Sequence, residues 1–193
     1  MVNGISLGHH YYRIAFMFRE CMLLNGILTN SEVWYPINDT QLEVLEDIDL
    51  MLIRKLIKGH AKTAKEAFHM ETGLLQVCFV YMKRRMMYLS HILSRPESEM
   101  IRKVYEVQKQ IITKKDWYSL VNENKKELDI DLSEEQISKM SKDRFRSIVS
   151  KAVDHKAMDH LNTIALSHSK SEDLIKPRLV RENYFEDQRF SKS

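Results

Sequence analysis

The scarcity of turn-forming residues is the feature that most restricts how this chain can fold. Five glycines and three prolines are spread over 193 residues, whereas an average protein carries these two types at about 12% of its positions. Sandwiches, barrels and glycine-rich phosphate-binding folds depend on many tight turns that these residues make possible. The composition therefore favours long regular elements joined by few turns, in a chain long enough to bury a core.

Apolar residues recur at intervals of three and four along most of the chain, which is the spacing of one helix face. Helix-start signals occur at Asn38-Asp39, Thr63, Ser133 and Ser141. The positions expected to face inward are Ile14, Met17, Cys21, Leu24 and Leu28 in the first helix, Met100, Val104, Val107 and Ile111 in a helix after Pro96, and Phe145, Val149, Val153, Ala157, Leu161 and Ile164 in the last helix. The sequence predicts an all-α fold of about eight helices with short connections.

The helical pattern ends near residue 166. We predict one helical domain over residues 1–166 and a polar, frayed C-terminal tail over residues 167–193. No stretch of about 18 uncharged apolar residues occurs, so we predict no membrane span. The two cysteines, Cys21 and Cys78, lie in apolar runs and are too few for a disulfide framework. They are interpreted as buried, reduced thiols, which indicates an intracellular protein, either nuclear or cytoplasmic.

Sequence patterns that carry catalysis are missing. The chain has no nucleophile elbow, P-loop, dinucleotide fingerprint or Cys-X-X-Cys pair. His155 and His160 are five positions apart, which misses the spacing that places two imidazoles on one helix face. The acidic run Glu46-Asp47-Ile48-Asp49 is interpreted as helix-dipole partners on a solvated face. We therefore expect no metal, no cofactor, no small-molecule substrate and no enzymatic activity of the chain on its own.

A basic helix in the middle of the chain is the strongest candidate binding surface. Residues 83–115 hold nine Lys and Arg against three Glu, a net charge of +6, compared with +3 for the whole chain. A cationic face with interleaved aromatic rings suits contacts to phosphates and stacking on bases or sugars. A solvated amphipathic helix with snorkelling arginines is the alternative interpretation. The candidate nucleic-acid-binding residues are Lys83, Arg84, Arg85, Tyr88, His91, Arg95, Lys114 and Lys115.

Six segments, taken in order, resemble one protein family. They are MLLNGILTNSEVWY (22–35), LEDIDLMLIRKLI (45–57), ETGLLQVCFVYMKRRMMYLSHIL (71–93), TKKDW (113–117), KDRFRSIVSKAV (142–153) and HSK (168–170). Together they resemble the region C-terminal to the polymerase palm in reverse transcriptases of non-LTR (LINE-type) retrotransposons of animals. One motif departs from the family, because Gln76 and Cys78 stand where the family commonly has Pro and Arg.

The resemblance implies a thumb and post-thumb fragment of an RNA-directed DNA polymerase, whose helices hold the backbone of a template–primer duplex. Because the catalytic aspartates of that family belong to the palm, no catalytic residue is carried over to this chain. The implied partners are an RNA–DNA or DNA duplex backbone and the palm domain of a parent polymerase. The stretch Lys83-Arg84-Arg85 matches the basic helix of the family.

The alternative function is an α-helical protein–protein interaction module without a nucleic-acid role. It is suggested by 11 methionines and wide apolar faces, which could line a groove. This alternative is favoured if Arg84, Tyr88 and Arg95 are buried or paired with acids while a groove lined by methionines is open. In either case a fragment separated from a palm would expose apolar surface, which we predict on the first helix around Phe16, Met17 or Met22.

Overall fold

The computed structural model describes residues 14–34, 37–57, 60, 63–111 and 116–167. Within these residues the chain forms eight helices and no strand, so the all-α prediction is confirmed. The first helix, α1, spans residues 14–27. The others are α2 (Asp39–Ile57), α3 (Lys65–Thr72), α4 (Val77–Leu93), α5 (Met100–Gln110), α6 (Trp117–Glu127), α7 (Glu134–Lys139) and α8 (Lys142–Ser167). Among these described helices, none combines the length and the apolar character needed to cross a bilayer.

The described residues group into two compact units. Unit 1 is built from residues within 14–27, 44–76 and 157–167, and unit 2 from residues within 28–43 and 77–156. Helices α2 and α8 each contribute residues to both units. The predicted division into a domain over 1–166 and a tail over 167–193 stays a prediction, because residues 168–193 lie outside the described part of the chain.

Helix α1 contains a π-helical segment, Arg19–Leu23. One extra residue in a helical turn rotates the following residues by about 100° relative to an uninterrupted α-helix. The buried positions of α1 are accordingly Ala15, Arg19 and Leu24. The prediction that Ile14, Met17 and Cys21 face inward is wrong, because all three are exposed.

An apolar surface is therefore open on α1. Met17 and Met22 are exposed and Phe16 is half-buried. The predicted exposed apolar face on the first helix is confirmed at the two methionines.

The core of unit 1 forms where α2 meets α3. Leu50, Ile53 and Phe68 are buried together, and Leu74 packs against them. Helix α3 ends at Gly73, which adopts a left-handed conformation (φ 67°) and donates its N–H to the carbonyl of His69. A residue without a Cβ adopts this geometry at no steric cost, which suits it to ending a helix.

Helix α4 is the central element of unit 2. It packs against α5, α6, α7 and the 3₁₀ turn Ser31–Val33. A helix covered on several sides must be apolar on most of its surface. Its buried side chains are Val77, Phe79, Tyr81, Arg85, Met86, Leu89, Ser90, Ile92 and Leu93.

Helix caps agree with the sequence at three of the four predicted positions, including Ser141, whose hydroxyl accepts the N–H of Arg144 (3.3 Å) at the start of α8. Asn38 and Gln41 bond reciprocally at the start of α2, and Ser133 and Gln136 form a complete capping box at α7. The capping box expected at Thr63 is not formed, because α3 begins one residue later than that motif requires and has no side-chain cap. In α8 the predicted inward positions from Phe145 to Leu161 are buried, whereas Ile164 is half-buried.

Candidate interaction surfaces

The basic stretch of α4 is divided between the interior of unit 2 and its surface. Arg85 is only 2% exposed. Its guanidinium donates to Asn124 Oδ1 (3.0 Å) and to the carbonyl of Trp34 (3.4 Å), and it also bonds the Tyr81 hydroxyl and lies over the Tyr81 ring. The expectation that Arg85 faces outward is therefore wrong, since its partners lie inside the fold.

Burial also changes the acidity of this arginine. Desolvation lowers the pKa of Arg85 to about 10, although the negative charge of Glu123 acts in the opposite direction. At neutral pH the group remains a cation, so unit 2 keeps a buried positive charge whose bonds go to neutral oxygens.

Arg84 and Trp117 hold the same backbone segment that Arg85 contacts. Arg84 Nη1 donates to the carbonyl of Leu28 (2.7 Å), and Trp117 Nε1 donates to the carbonyl of Glu32 (2.7 Å). Carbonyl groups outside regular helices need such donors when they are shielded from water. These side chains therefore stabilise the segment 28–34. The two arginines donate to carbonyl oxygens of the fold through the same groups that could donate to the phosphate oxygens of a ligand.

The remaining candidates of the basic helix are more accessible. The Tyr88 ring stacks on His91 (centroids 5.9 Å apart) and meets Trp117 edge-on (5.8 Å). His91 is exposed, Lys83 is half-buried, and Arg95 is exposed with Glu99 at 3.7 Å. Burial and, to a smaller extent, the charge of Glu32 raise the pKa of Tyr88.

The predicted contacts at Lys114 and Lys115 fall on residues outside the described part of the chain. Of the predicted binding residues, Tyr88 and His91 stack on each other on α4, and Arg95 is exposed two residues beyond the end of that helix. That these residues bind nucleic acid stays a prediction.

A row of apolar side chains lies on the outside of α5 and at Ile111, the residue that follows its last turn. Met100, Val104, Val107 and Ile111 are 75%, 48%, 50% and 56% exposed. The prediction that they face inward is wrong. Their spacing of i, i+4, i+7 and i+11 is that of the a and d positions of a heptad, and we call these four residues the apolar seam.

An aromatic and charged cluster occupies the inner side of α5 instead. Tyr105 is buried, lies edge-on to Trp117 (6.2 Å) and Tyr118 (5.6 Å), and donates its hydroxyl to Glu134 Oε1 (2.8 Å). A tyrosine ring can be buried at low cost when its hydroxyl finds an acceptor. These contacts orient α5 so that the apolar seam points to solvent.

The same cluster perturbs two titrating groups. Burial, followed by the bond to Glu134, raises the pKa of Tyr105. Burial alone would raise the pKa of Glu134, but the hydrogen bonds from Lys109 (2.8 Å) and Tyr105 outweigh it and hold that pKa below its usual value. Glu134 is therefore an anion at neutral pH and joins α7 to α5.

Unit 1 contains a buried ion pair that sequence reasoning missed. Arg19 and Asp49 are both 0% exposed and are joined twice, Nε to Oδ1 at 2.7 Å and Nη2 to Oδ2 at 2.5 Å. Arg19 also donates to the carbonyl of Leu75 and to Glu20. The interpretation of the acidic run as a solvated face is wrong for Asp49 and for Glu46, whose side chain is 14% exposed, and holds for Asp47, which is 60% exposed and paired with Lys65.

A second polar contact in unit 1 joins α3 to α2. His69 is fully buried, with Nε2 at 2.7 Å from Glu46 Oε1 and Nδ1 at 3.0 Å from the carbonyl of Leu74. These contacts serve packing, because the imidazole is enclosed within the unit and meets Glu46 and the carbonyl of Leu74 there. In the portion of the chain that the structure covers, no three or more His, Cys, Asp or Glu residues gather in a way that could hold a metal ion.

No protein-family model matches the chain, and neither a curated protein nor a solved structure matches it. A function is therefore inferred from the geometry of the surfaces of each unit.

Proposed function

We propose that this chain is a non-catalytic helical protein–protein interaction module that docks a helix of another polypeptide on the apolar seam of α5. The observation that carries the proposal is the exposure of Met100, Val104, Val107 and Ile111, none of which is less than 48% exposed. Single exposed apolar residues are ordinary on protein surfaces, whereas a continuous apolar row is typical of an interaction surface.

The geometry of the seam suits a helical partner. Side chains at alternating a and d positions insert between four residues of a facing helix, and a three-turn seam extends about 16 Å. Such a seam is smaller than the roughly 800 Å² per partner of a stable interface. We therefore expect an affinity of about micromolar for a single helix, with tighter binding only if the partner makes further contacts.

The family resemblance supports the same proposal. A thumb and post-thumb fragment of a non-LTR reverse transcriptase would carry helix faces that pack on the rest of the polymerase. The exposed methionines Met17 and Met22 on α1 suit such a role as well as the seam does. The palm of a parent polymerase is accordingly one partner that we propose for this chain.

Binding of a synthetic helix tests the proposed docking surface. The probe is a labelled helix of about three heptads with Leu at a and d and neutral Gln at e and g. Val107→Lys should weaken its binding at least tenfold, because the lysine charge would be placed in the apolar contact. Fluorescence anisotropy during titration with the protein measures both dissociation constants.

Val33→Lys is the matched control, since Val33 is 49% exposed, against 50% for Val107, and belongs to the 3₁₀ turn Ser31–Val33 and not to α5. It should leave probe binding unchanged, and both variants should keep the melting temperature of the parent protein. Absence of binding by the parent protein, or equal binding by Val107→Lys, would contradict the proposal.

Nucleic-acid backbone binding is the second candidate function. It is favoured by the exposed His91 ring stacked on Tyr88, next to an Arg95 side chain that is 45% exposed. A stacking ring and a cation together suit a base and its phosphate. The buried position of Arg85 leaves fewer cations for this function than the charge of the segment predicts.

Salt dependence tests the second candidate. With about two phosphate contacts, the affinity for an RNA–DNA duplex should fall about tenfold between roughly 50 and 200 mM salt. Arg95→Ala should reduce the slope of log affinity against log salt concentration by the amount expected for about one phosphate contact. Arg146→Ala, which removes a cation of α8 that is 53% exposed, should leave that slope unchanged. A salt-insensitive affinity, or the same slope for Arg95→Ala and the parent protein, would exclude this surface.

A further inference from the structure

We infer that the partner of the apolar seam is an amphipathic helix with carboxylates along the edge that faces Lys103. The inference rests on the proposed function of the seam and adds the chemistry of the partner. Two observations support it: the ion pairs of the neighbouring cations, and the position of the exposed Lys103 beside the seam.

Most of the cations around α5 lie near an acid of the same unit. Arg95 lies near Glu99 (3.7 Å), Arg102 pairs with Glu106 (2.9 Å), and Lys109 pairs with Glu134 (2.8 Å). Lys103 differs from them, because it is exposed and makes no ion pair with any carboxylate in the described ranges. A cation left unpaired beside an apolar surface is available to a partner.

The position of Lys103 relative to the seam determines what it would meet. With Val104 and Ile111 at a and with Met100 and Val107 at d, Lys103 occupies a g position. Side chains at g flank the apolar contact and reach the e or g residues of a facing helix. A negative charge on the partner residue that faces Lys103 therefore favours binding, and a positive charge there disfavours binding.

The charge pattern argues against a second copy of this chain as the occupant. Besides Lys103, the residues that flank the seam at e and g are Ile101, Gln108 and Gln110. A second copy would present the same edge, which supplies an amide or another lysine to Lys103 and no flanking carboxylate. A helix with Glu or Asp at its flanking positions supplies the missing charge.

Two charged probes test this chemistry. They are identical to the neutral probe except that e and g positions carry Glu in one and Lys in the other. The parent protein should bind the Glu probe about three- to tenfold more tightly than the Lys probe at low salt, with a smaller ratio at high salt. Lys103→Glu should reverse the preference.

Lys126→Glu is the control for a general charge effect, because Lys126 is an exposed lysine on α6. It should retain the preference for the Glu probe. Circular dichroism of each variant checks that the helices are intact, and the comparison is made at equal protein concentration.

The possible outcomes separate this inference from the proposed function. If both charged probes bind equally and Val107→Lys weakens both, the seam docks helices but the acidic partner is wrong. If neither the charged nor the neutral probe binds, both proposals fail. If no probe binds and the protein forms dimers that Val107→Lys disrupts, a second copy is the occupant and the inference is overturned.

Discussion

Replacing Asp49 with Ala is expected to destabilise the protein by about 3 kcal/mol. The substitution removes both bonds at the inner edge of the Arg19 guanidinium, whose side chain is 0% exposed. Arg19 would keep Glu20 and the carbonyl of Leu75, but its charge would lose its only buried counter-ion in the described structure. The change in the free energy of unfolding is measured by urea denaturation with circular dichroism.

Asp47 supplies a matched control on the same helix. Its ion pair with Lys65 is of similar length (2.7 Å), but its side chain is 60% exposed. Asp47→Ala should therefore change the free energy of unfolding by no more than about 0.5 kcal/mol, because exposed ion pairs contribute little. Equal losses for the two variants would contradict the buried pairing.

An apolar replacement of the whole pair should be tolerated better than its disruption. The double variant Arg19→Met with Asp49→Leu removes both charges, so no buried charge is left without a partner. Such replacements of buried ion pairs are often neutral or stabilising. We expect the double variant to be more stable than Asp49→Ala alone, which the same urea titration determines.

The helices could be predicted because their signals are local. In α8, Phe145, Val149 and Val153 follow at steps of four, and each is 0% exposed. The capping box at Ser133 likewise depends only on residues three positions apart. Features that depend on a few neighbouring residues can be read from one sequence.

The buried face of α1 could not be predicted, because it depends on a change of helical register. Because of the π-helical segment Arg19–Leu23, the buried position that follows Arg19 is Leu24, five residues later. A constant 3.6-residue period assigns those positions to different faces. It also gives no reason to bury Arg19, whose partner Asp49 comes 30 residues later in the sequence.

The orientation of α5 could not be predicted for a different reason. Periodicity identifies an apolar face but does not say whether that face contacts the chain's own core or another molecule. Here the inner side is fixed by the contact of Tyr105 with Glu134, which is 29 residues away. A tyrosine between two cations, Arg102 and Lys109, was the one local sign that this side of the helix held a polar network.

The candidate binding site was predictable only in part, because a count of charges treats every cation as a surface group. The acceptors of Arg85, at Asn124 and Trp34, come from distant segments. Nothing next to Arg85 in the sequence distinguishes it from Lys83 or Arg95. The sequence thus located the basic helix but did not separate its structural cations from its accessible ones.

Arg85→Ala should destabilise unit 2 by about 3 kcal/mol, the second large effect that we expect. The variant empties buried volume, removes a donor from Asn124 Oδ1 and from the carbonyl of Trp34, and loses the cation–π contact with Tyr81. Both tryptophans of the chain, Trp34 and Trp117, belong to unit 2. Urea denaturation followed by tryptophan fluorescence therefore reports on the unit that carries the substitution.

Arg95→Ala is the control of the same residue type. It should lower the free energy of unfolding by no more than about 0.5 kcal/mol, because the Arg95 side chain is 45% exposed and its contact with Glu99 is long. The two arginines should also differ in any nucleic-acid binding that the protein shows. Arg95→Ala should lower affinity without loss of stability, whereas Arg85→Ala should lower affinity only to the extent that it unfolds the protein. If Arg85→Ala keeps the stability of the parent protein and abolishes binding, Arg85 contacts the ligand and the internal role that its bonds indicate is wrong.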